Sequence, residues 1–323
     1  MPRFILALVL ALIPLGPAAA QTWPTRPVTM VIAFAAGSSI DLVGRILAPR
    51  LSEVLGQNVI VENVSGAAGI IGTSRVAKSP PDGYQLLLGA AGAMSQNQFL
   101  YKSLPYNTAT DFAPVALIAE TPPVLVVRKD LPGDDLKAFI SHAKLNQAKM
   151  QYGSSGAGTS THLACLLLNA AAGVSVTHIP YRGGGPAMQD LLAGRIDYQC
   201  PLAAVSIPQI ESKSVKAIAI LTRERSPILP SLASAHEQGL ADFDAGSWWA
   251  FFLPAGTPAP IIQRLNEAIN AALNTPAVQA RLFENGATVV APERRSPDYL
   301  KSFLESETAK WGAAIKAAGI MPE

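Results

Sequence analysis

The sequence predicts an α/β protein folded as two lobes, each a mainly parallel sheet with helices on both faces. Three observations carry that expectation. Strand-length apolar runs alternate with helix-length amphipathic segments, the pattern of βαβ units. The alternation occurs twice, over residues 27–90 and again over 124–221. A chain of 323 residues also suits two domains better than one.

The first unit opens with residues 27–34 (PVTMVIAF), an apolar and β-branched run that reads as a strand. After the loop Ala35-Ala36-Gly37-Ser38-Ser39, residues Ile40, Val43, Leu47, Leu51 and Leu55 recur at helical spacing, and Gly56 stands where that helix should end. Residues 58–64 read as the next strand, Gly66 to Lys78 as a helix closed by Pro80-Pro81-Asp82-Gly83, and 84–90 as a third strand. The second unit places strands at 124–128, 149–153, 175–180, 196–200 and 215–221, with helices at 134–145, 159–172 and 186–193. A stretch rich in Pro, Ser and charge, Thr222 to Gly246, reads as a crossing segment. A strand at Trp248 to Leu253 follows, then helices at 258–274, 276–285 and 296–318. Those last helices are expected to return to the first lobe. Lobe 1 is then residues 21–123 with 240–323, and lobe 2 is 124–239.

Composition excludes several classes. With 49% hydrophobic and 15% charged residues the chain is too apolar to be disordered. Its formal charge of +2 and the lack of any Lys/Arg run longer than Arg294-Arg295 argue against nucleic-acid binding. Residues 1–20 read as a signal peptide: Arg3, an apolar run from Phe4 to Leu15, then Ala18-Ala19-Ala20. That run is too short to span a bilayer, and no Cys follows it to carry a lipid. Export would allow Cys165 and Cys200 to pair; the alternative is two buried thiols.

Two segments fit an anion site. One is Ala35 to Asp41 and the other Gly153 to His162 (GSSGAGTSTH), each between a strand and a helix. Small residues, hydroxyls, free backbone N–H groups and a positive helix end together hold a carboxylate without a fixed cation. Capping of the helices by Ser and Thr is the plainer reading of either loop alone. A third strand-to-helix segment, Pro180 to Pro186 (PYRGGGP), has three glycines that permit close backbone approach. The run Gly66 to Gly72 is GxxGxxG rather than GxGxxG, so close packing of a helix on the sheet explains it better than a dinucleotide. No GxSxG, HExxH or P-loop is present, and His142, His162, His178 and His236 are too scattered for a metal cluster. No cofactor and no metal are expected. A hydrolase using a Ser with His162 is the competing reading, and a receptor that signals to a membrane sensor is another.

The segments taken together resemble the periplasmic solute receptors of tripartite tricarboxylate transporters, the Bug-type receptors. The resemblance rests on Trp23-Pro24-Thr25-Arg26-Pro27, the Gly37-to-Asp41 loop with Arg45, Val61-Glu62-Asn63, Gly66-Ala67-Ala68-Gly69 and Asp82-Gly83-Tyr84. It continues through Asp111-Phe112-Ala113-Pro114, Ser154-Ser155-Gly156-Ala157-Gly158 with His162-Leu163-Ala164, Pro180-Tyr181-Arg182-Gly183, Trp248, Pro254-Ala255-Gly256-Thr257-Pro258 and Lys310-Trp311. It implies a Venus-flytrap fold, no enzymatic activity, a small carboxylate ligand, permease subunits as membrane partners, a periplasmic location and a monomeric receptor. Carried over residue by residue, it points to Ala35, Ala36, Gly37, Ser38, Ser39 and Asp41 in the first loop. In the second loop it points to Ser154, Ser155, Gly158, Thr159, Ser160 and His162, and in the third to Tyr181, Gly183 and Gly184, with Asn97 matching a cleft-side Asn.

Two departures from the family pattern stand out. Its first loop is usually rich in Pro and Gly; here Ala35-Ala36 restores two backbone N–H groups and Ser38 adds a hydroxyl. Where relatives often carry Phe-Asp near the cleft, this chain has Gln199-Cys200. Loss of that carboxylate favours a ligand without a free amino group.

Overall fold

The computed structural model describes residues 23–322, so the expected signal peptide lies outside the described residues. From the start of that span the chain forms β1 (Val28–Ile32), α1 (Ser39–Leu55), β2 (Val59–Asn63), α2 (Ile70–Ala77), β3 (Gln85–Ala90) and β4 (Phe112–Thr121). It then forms β5 (Val124–Arg128), α3 (Leu136–Asn146), β6 (Gln151–Ser154), α4 (Ser160–Ala172), β7 (Thr177–Pro180), α5 (Gly184–Leu192), β8 (Tyr198–Gln199), α6 (Ala203–Glu211) and β9 (Val215–Ile220). The last part is β10 (Ser247–Pro254), α7 (Ala259–Leu273), α8 (Pro276–Glu284), β11 (Thr288–Val289) and α9 (Pro297–Ala317).

These strands make two sheets. One has the order β11-β4-β10-β3-β1-β2 and the other β7-β6-β8-β5-β9. The two-lobe α/β class is as expected, but the sheets are mixed rather than mainly parallel. β1 lies parallel to β2 and β3, whereas β10 runs antiparallel between β3 and β4. In the second sheet β6 is parallel to β7 and β8, and β5 is antiparallel to β8 and β9. The cause is the crossing itself: β4 leaves the first sheet through Pro122-Pro123 to become β5, and β10 returns from β9, so each crossing strand runs against its neighbours. β4 and α6 were not predicted, and the helix expected from Gly66 begins at Ile70. Residues 67–69 instead make a 3-10 turn in which Ala67 and Ala68 take φ of 44° and 50°.

The βαβ logic is visible in the packing. α1 turns Val43, Leu47 and Leu51 onto the buried face of β1, and Gly56 ends it in the left-handed region with its N–H on the Ser52 carbonyl. Gly72 is where α2 touches the sheet: a Cβ there would lie 2.8 Å from the Ala33 Cα and 2.7 Å from the Val64 carbonyl oxygen.

α9 belongs to both halves. Leu300 and Leu304 pack into the core beside β10, while Trp311 and Ile315 pack with Leu125, Phe139 and Tyr198 of the second sheet's core. Between them Glu307 accepts from the indole N–H of Trp248 (2.9 Å) and of Trp311 (3.0 Å), and Lys310 reaches Asp244 in the crossing segment (2.8 Å). A third link is covalent within the second half: Cys165 of α4 is bonded to Cys200 just past β8, with Cα atoms 5.5 Å apart. Of the two readings left open for these cysteines, the structure has the pair. Among the described residues no helix is long and apolar enough to cross a membrane.

Candidate ligand-binding cleft

The segment leaving the carboxyl end of β3 meets the loop leaving the carboxyl end of β6 in the other sheet. Ser160 Oγ donates to Gln96 Oε1 (3.3 Å) and Tyr101 Oη to the Ala157 carbonyl (3.3 Å). A Cβ on Gly92 would sit 3.4 Å from the Ser160 nitrogen. Loops from two sheets thus come together at strand carboxyl ends, the position where open α/β sheets hold ligands.

In the first loop Asp41 is turned inward. Its carboxylate accepts from the Gly37 N–H (2.8 Å), Arg45 Nε (2.9 Å) and Asn63 Nδ2 (2.9 Å). Burial alone would raise the pKa of this carboxyl; the hydrogen bonds from Arg45, Gly37 and Asn63 outweigh it and hold the group below its ordinary value of 3.8. Asp41 therefore braces the loop and takes the Gly37 N–H out of play. What remains is the start of α1: the N–H groups of Ser39 and Ile40, which have no intrahelical acceptor, and Ser38 Oγ, which is buried with no protein partner.

A folded-state pKa below 3.8 means that Asp41's stabilisation is present above that pH and lost as pH falls through the lowered value. Asp41→Asn should lower stability by about 1.5–3 kcal/mol near neutral pH, the range for a hydrogen bond to a charged group. It should also flatten the acid limb of the melting temperature against pH; an unchanged acid limb would contradict the bracing role.

The second loop is held by its own side chains. Thr159 caps α4 through the His162 N–H and donates to the Gly156 carbonyl (2.7 Å), and Thr161 Oγ1 accepts from the Ser155 N–H (3.0 Å). Ser154 is buried, with Oγ taking the Gly156 N–H (3.1 Å) and lying 2.7 Å from His178 Nε2. His162 Nδ1 accepts the Gly158 N–H (3.2 Å), which places the proton of the neutral ring on Nε2. Its ring stacks on His178 with centroids 4.1 Å apart. Burial and then the neighbouring His162 push the His178 pKa down to about 3, so His178 is neutral at ordinary pH. Ser154, shut away from solvent, is thus in contact with His178.

In the third loop Tyr181 donates to Asp190 (2.7 Å), and its ring lies against Gly153, where a Cβ would be 3.2 Å away. Burial, then the carboxylate of Asp190, raises this phenol to about 12. Gly183 takes a φ of 129° before α5, and Gly184 approaches Ser155 Oγ and Val205, so its Cβ would be within 3.5 Å of both. Asn97 is buried and donates to the Ala68 carbonyl (3.2 Å), tying the turn after β2 to the one after β3. Gln199 points to Met188 and Cys200 to Cys165, so neither side chain adds charge to the cleft. The structure also brings in Gly92, Gln96 and Tyr101, which sequence reasoning missed. For Gln96 the signal was a polar run, Ser95-Gln96-Asn97-Gln98, soon after an apolar strand. Among the described residues no group of His, Cys, Asp and Glu is arranged to hold a metal ion.

A fold of two α/β lobes with a loop-lined cleft at their facing strand ends is that of a periplasmic binding protein. The comparisons give the family. Residues 43–320 match the tripartite tricarboxylate transporter family receptor. The protein BugT of Bordetella pertussis is 36% identical over 305 residues, 94% of this chain and 93% of its own. The periplasmic binding protein BugD superposes with a TM-score of 0.87 at 37% identity, covering 93% of this chain and all of that one (100%). MatC from Rhodopseudomonas palustris, solved with bound malate, gives 0.86 at 37% identity over 91% of this chain and 100% of that one. A further R. palustris protein, solved with adipate, gives 0.88 at 36% identity over 93% and 100%. This chain belongs to the tripartite tricarboxylate transporter receptor family, whose members are solute-binding receptors and not enzymes.

Proposed function

We propose that this protein is an exported periplasmic receptor that captures a small dicarboxylate between its lobes and delivers it to the permease of a tripartite transporter. It acts as a monomer, and the segment 1–20 is the signal that exports it. The observation that carries this reading is the pair of helix N-termini, α1 from one lobe and α4 from the other, each opened by a loop of small and hydroxylated residues without Lys or Arg. One carboxylate per helix end is the charge pattern such a cleft accepts. Ser38 Oγ, the Ser39 N–H, Ser155, Ser160 and Gly183-Gly184 supply the contacts, with Ala35 and Ala36 beside them, while Gly37, Asp41, Ser154, Thr159, His162 and Tyr181 hold the loops in shape. Relatives solved with malate and with adipate support this class of ligand.

Cys200 lies in a disulfide and Gln199 points to Met188, so the pocket lacks a carboxylate there for an ammonium group. Succinate is therefore expected to bind more tightly than aspartate. Thermal melting with succinate, malate, adipate and aspartate tests both points. Saturation at a hundredfold excess over Kd should add about 2.7 kcal/mol of stability. A flat response to every dicarboxylate removes the receptor reading, and tighter aspartate binding removes the preference.

A further inference from the structure

Gln96 stands at the point where the lobes meet, and neither the loops of small residues nor the helix caps explain its presence. It closes the irregular π-helical turn Gly92–Gln96 that follows β3, a kind of turn that recurs at functional sites. Its side chain is fully buried. The amide oxygen accepts from Ser160 Oγ (3.3 Å), and Ser160 is the first residue of α4 in the opposite lobe. Placing the oxygen there is electrostatically sensible, because the helix start is positive and favours the negative end of the amide dipole. That leaves Nε2 beside the same helix start, buried and with no protein partner. The N–H groups of Ser160 and Thr161 have no intrahelical acceptor either. Gln96 from one lobe and the start of α4 from the other thus each bring unserved donors to this contact, and no acceptor of the protein serves Nε2.

We infer that Gln96 is the residue through which bound ligand draws the lobes together: a ligand carboxylate seated on the start of α4 accepts a hydrogen bond from Gln96 Nε2. The inference rests on the receptor reading above. Its logic is one of differential affinity. In the open form the carboxylate meets only the α4 donors of lobe 2. In the closed form it also meets Gln96 of lobe 1, so the contact exists in one state alone and biases the equilibrium toward it. A ligand that lacks a carboxylate at that end gains nothing from closure.

The test uses Gln96→Leu, which keeps the volume and removes the donor, and Gln96→Glu, which replaces the donor with a negative oxygen. Calorimetry with malate should show about a 10- to 100-fold loss of affinity for Gln96→Leu, the worth of one hydrogen bond to a charged acceptor. Stopped-flow should place the loss in dissociation rather than association. Small-angle scattering should show a smaller contraction on adding saturating malate. Gln96→Glu should lose more than Gln96→Leu. The ligand-free melting temperature of Gln96→Leu should be unchanged or raised, because the substitution removes a buried donor without a partner. Malate affinity within threefold of wild type, or a lowered ligand-free melting temperature, overturns the inference; the latter would make Gln96 part of the scaffold. Wild-type protein that binds no dicarboxylate overturns the receptor reading and this inference with it. Wild-type binding with an unaltered Gln96→Leu overturns this inference alone.

Discussion

Gly158→Ala is expected to weaken ligand binding by about 30- to 150-fold while both lobes stay folded. Gly158 takes a φ of +77°, and a Cβ there would lie 2.5 Å from Tyr101 Oη and 2.8 and 3.0 Å from two ring carbons. The left-handed backbone costs an alanine about 1–2 kcal/mol whether the cleft is open or closed. The clash with Tyr101 is different in kind, because Tyr101 follows β3 of the first sheet, packs beside the second sheet's core and donates to the Ala157 carbonyl of this loop, where the loops of the two sheets come together. A closed state raised by about 2–3 kcal/mol gives the stated loss, at 1.4 kcal/mol per decade. Calorimetry on the single variant and on Gly158→Ala with Tyr101→Ala separates the two contributions. The double variant should recover most of the affinity. If it binds no better than Gly158→Ala, the contact across the cleft is not what limits closure.

Removing the disulfide should be the largest single loss of stability. The bond joins residues 35 apart, and the chain-entropy model assigns such a loop about 4 kcal/mol. At about 2–4 °C per kcal/mol for a unit of this size, Cys165→Ala with Cys200→Ala should melt about 8–16 °C lower. The bond also has a place in the site. α4 carries at its start the loop proposed to hold a ligand carboxylate, and Cys165 on that helix is fastened to Cys200 just past β8. Malate affinity should therefore fall modestly as well. Calorimetric melting of the double variant decides, and a change under about 1 kcal/mol would show that packing of α4 suffices without the bond.

The sequence made the alternating units legible because each strand and helix carries its own period. β1, β2, β3 and the helices after them follow from local patterning alone. β4 did not, because Pro114 breaks its apolar pattern and its place is set by pairing with β10, far along the chain. α6 did not either, since Pro208 lies inside it and reads as a breaker. The direction of the crossing strands is a tertiary property, so a parallel sheet was expected where a mixed one is found. The site shows the same limit. Loop composition revealed where donors gather but not which donors stay available. Asp41 looked like a ligand residue in the sequence, yet its carboxylate takes the Gly37 N–H and the Arg45 and Asn63 side chains. Gln96 stood out only as part of a polar run and is buried where the loops of the two lobes meet, because only the fold brings the turn after β3 against the start of α4.

The central claim is that helix ends and hydroxyls, not a salt bridge, hold a carboxylate between the lobes. A crystal structure of the protein with malate tests it most directly. The expected result is one carboxylate within hydrogen-bond distance of the α4 start at Ser160 and Thr161 and the other at the α1 start near Ser38 and Ser39, with no Arg or Lys nitrogen on either. Malate paired to a guanidinium or ammonium group, or bound outside the cleft, would contradict it.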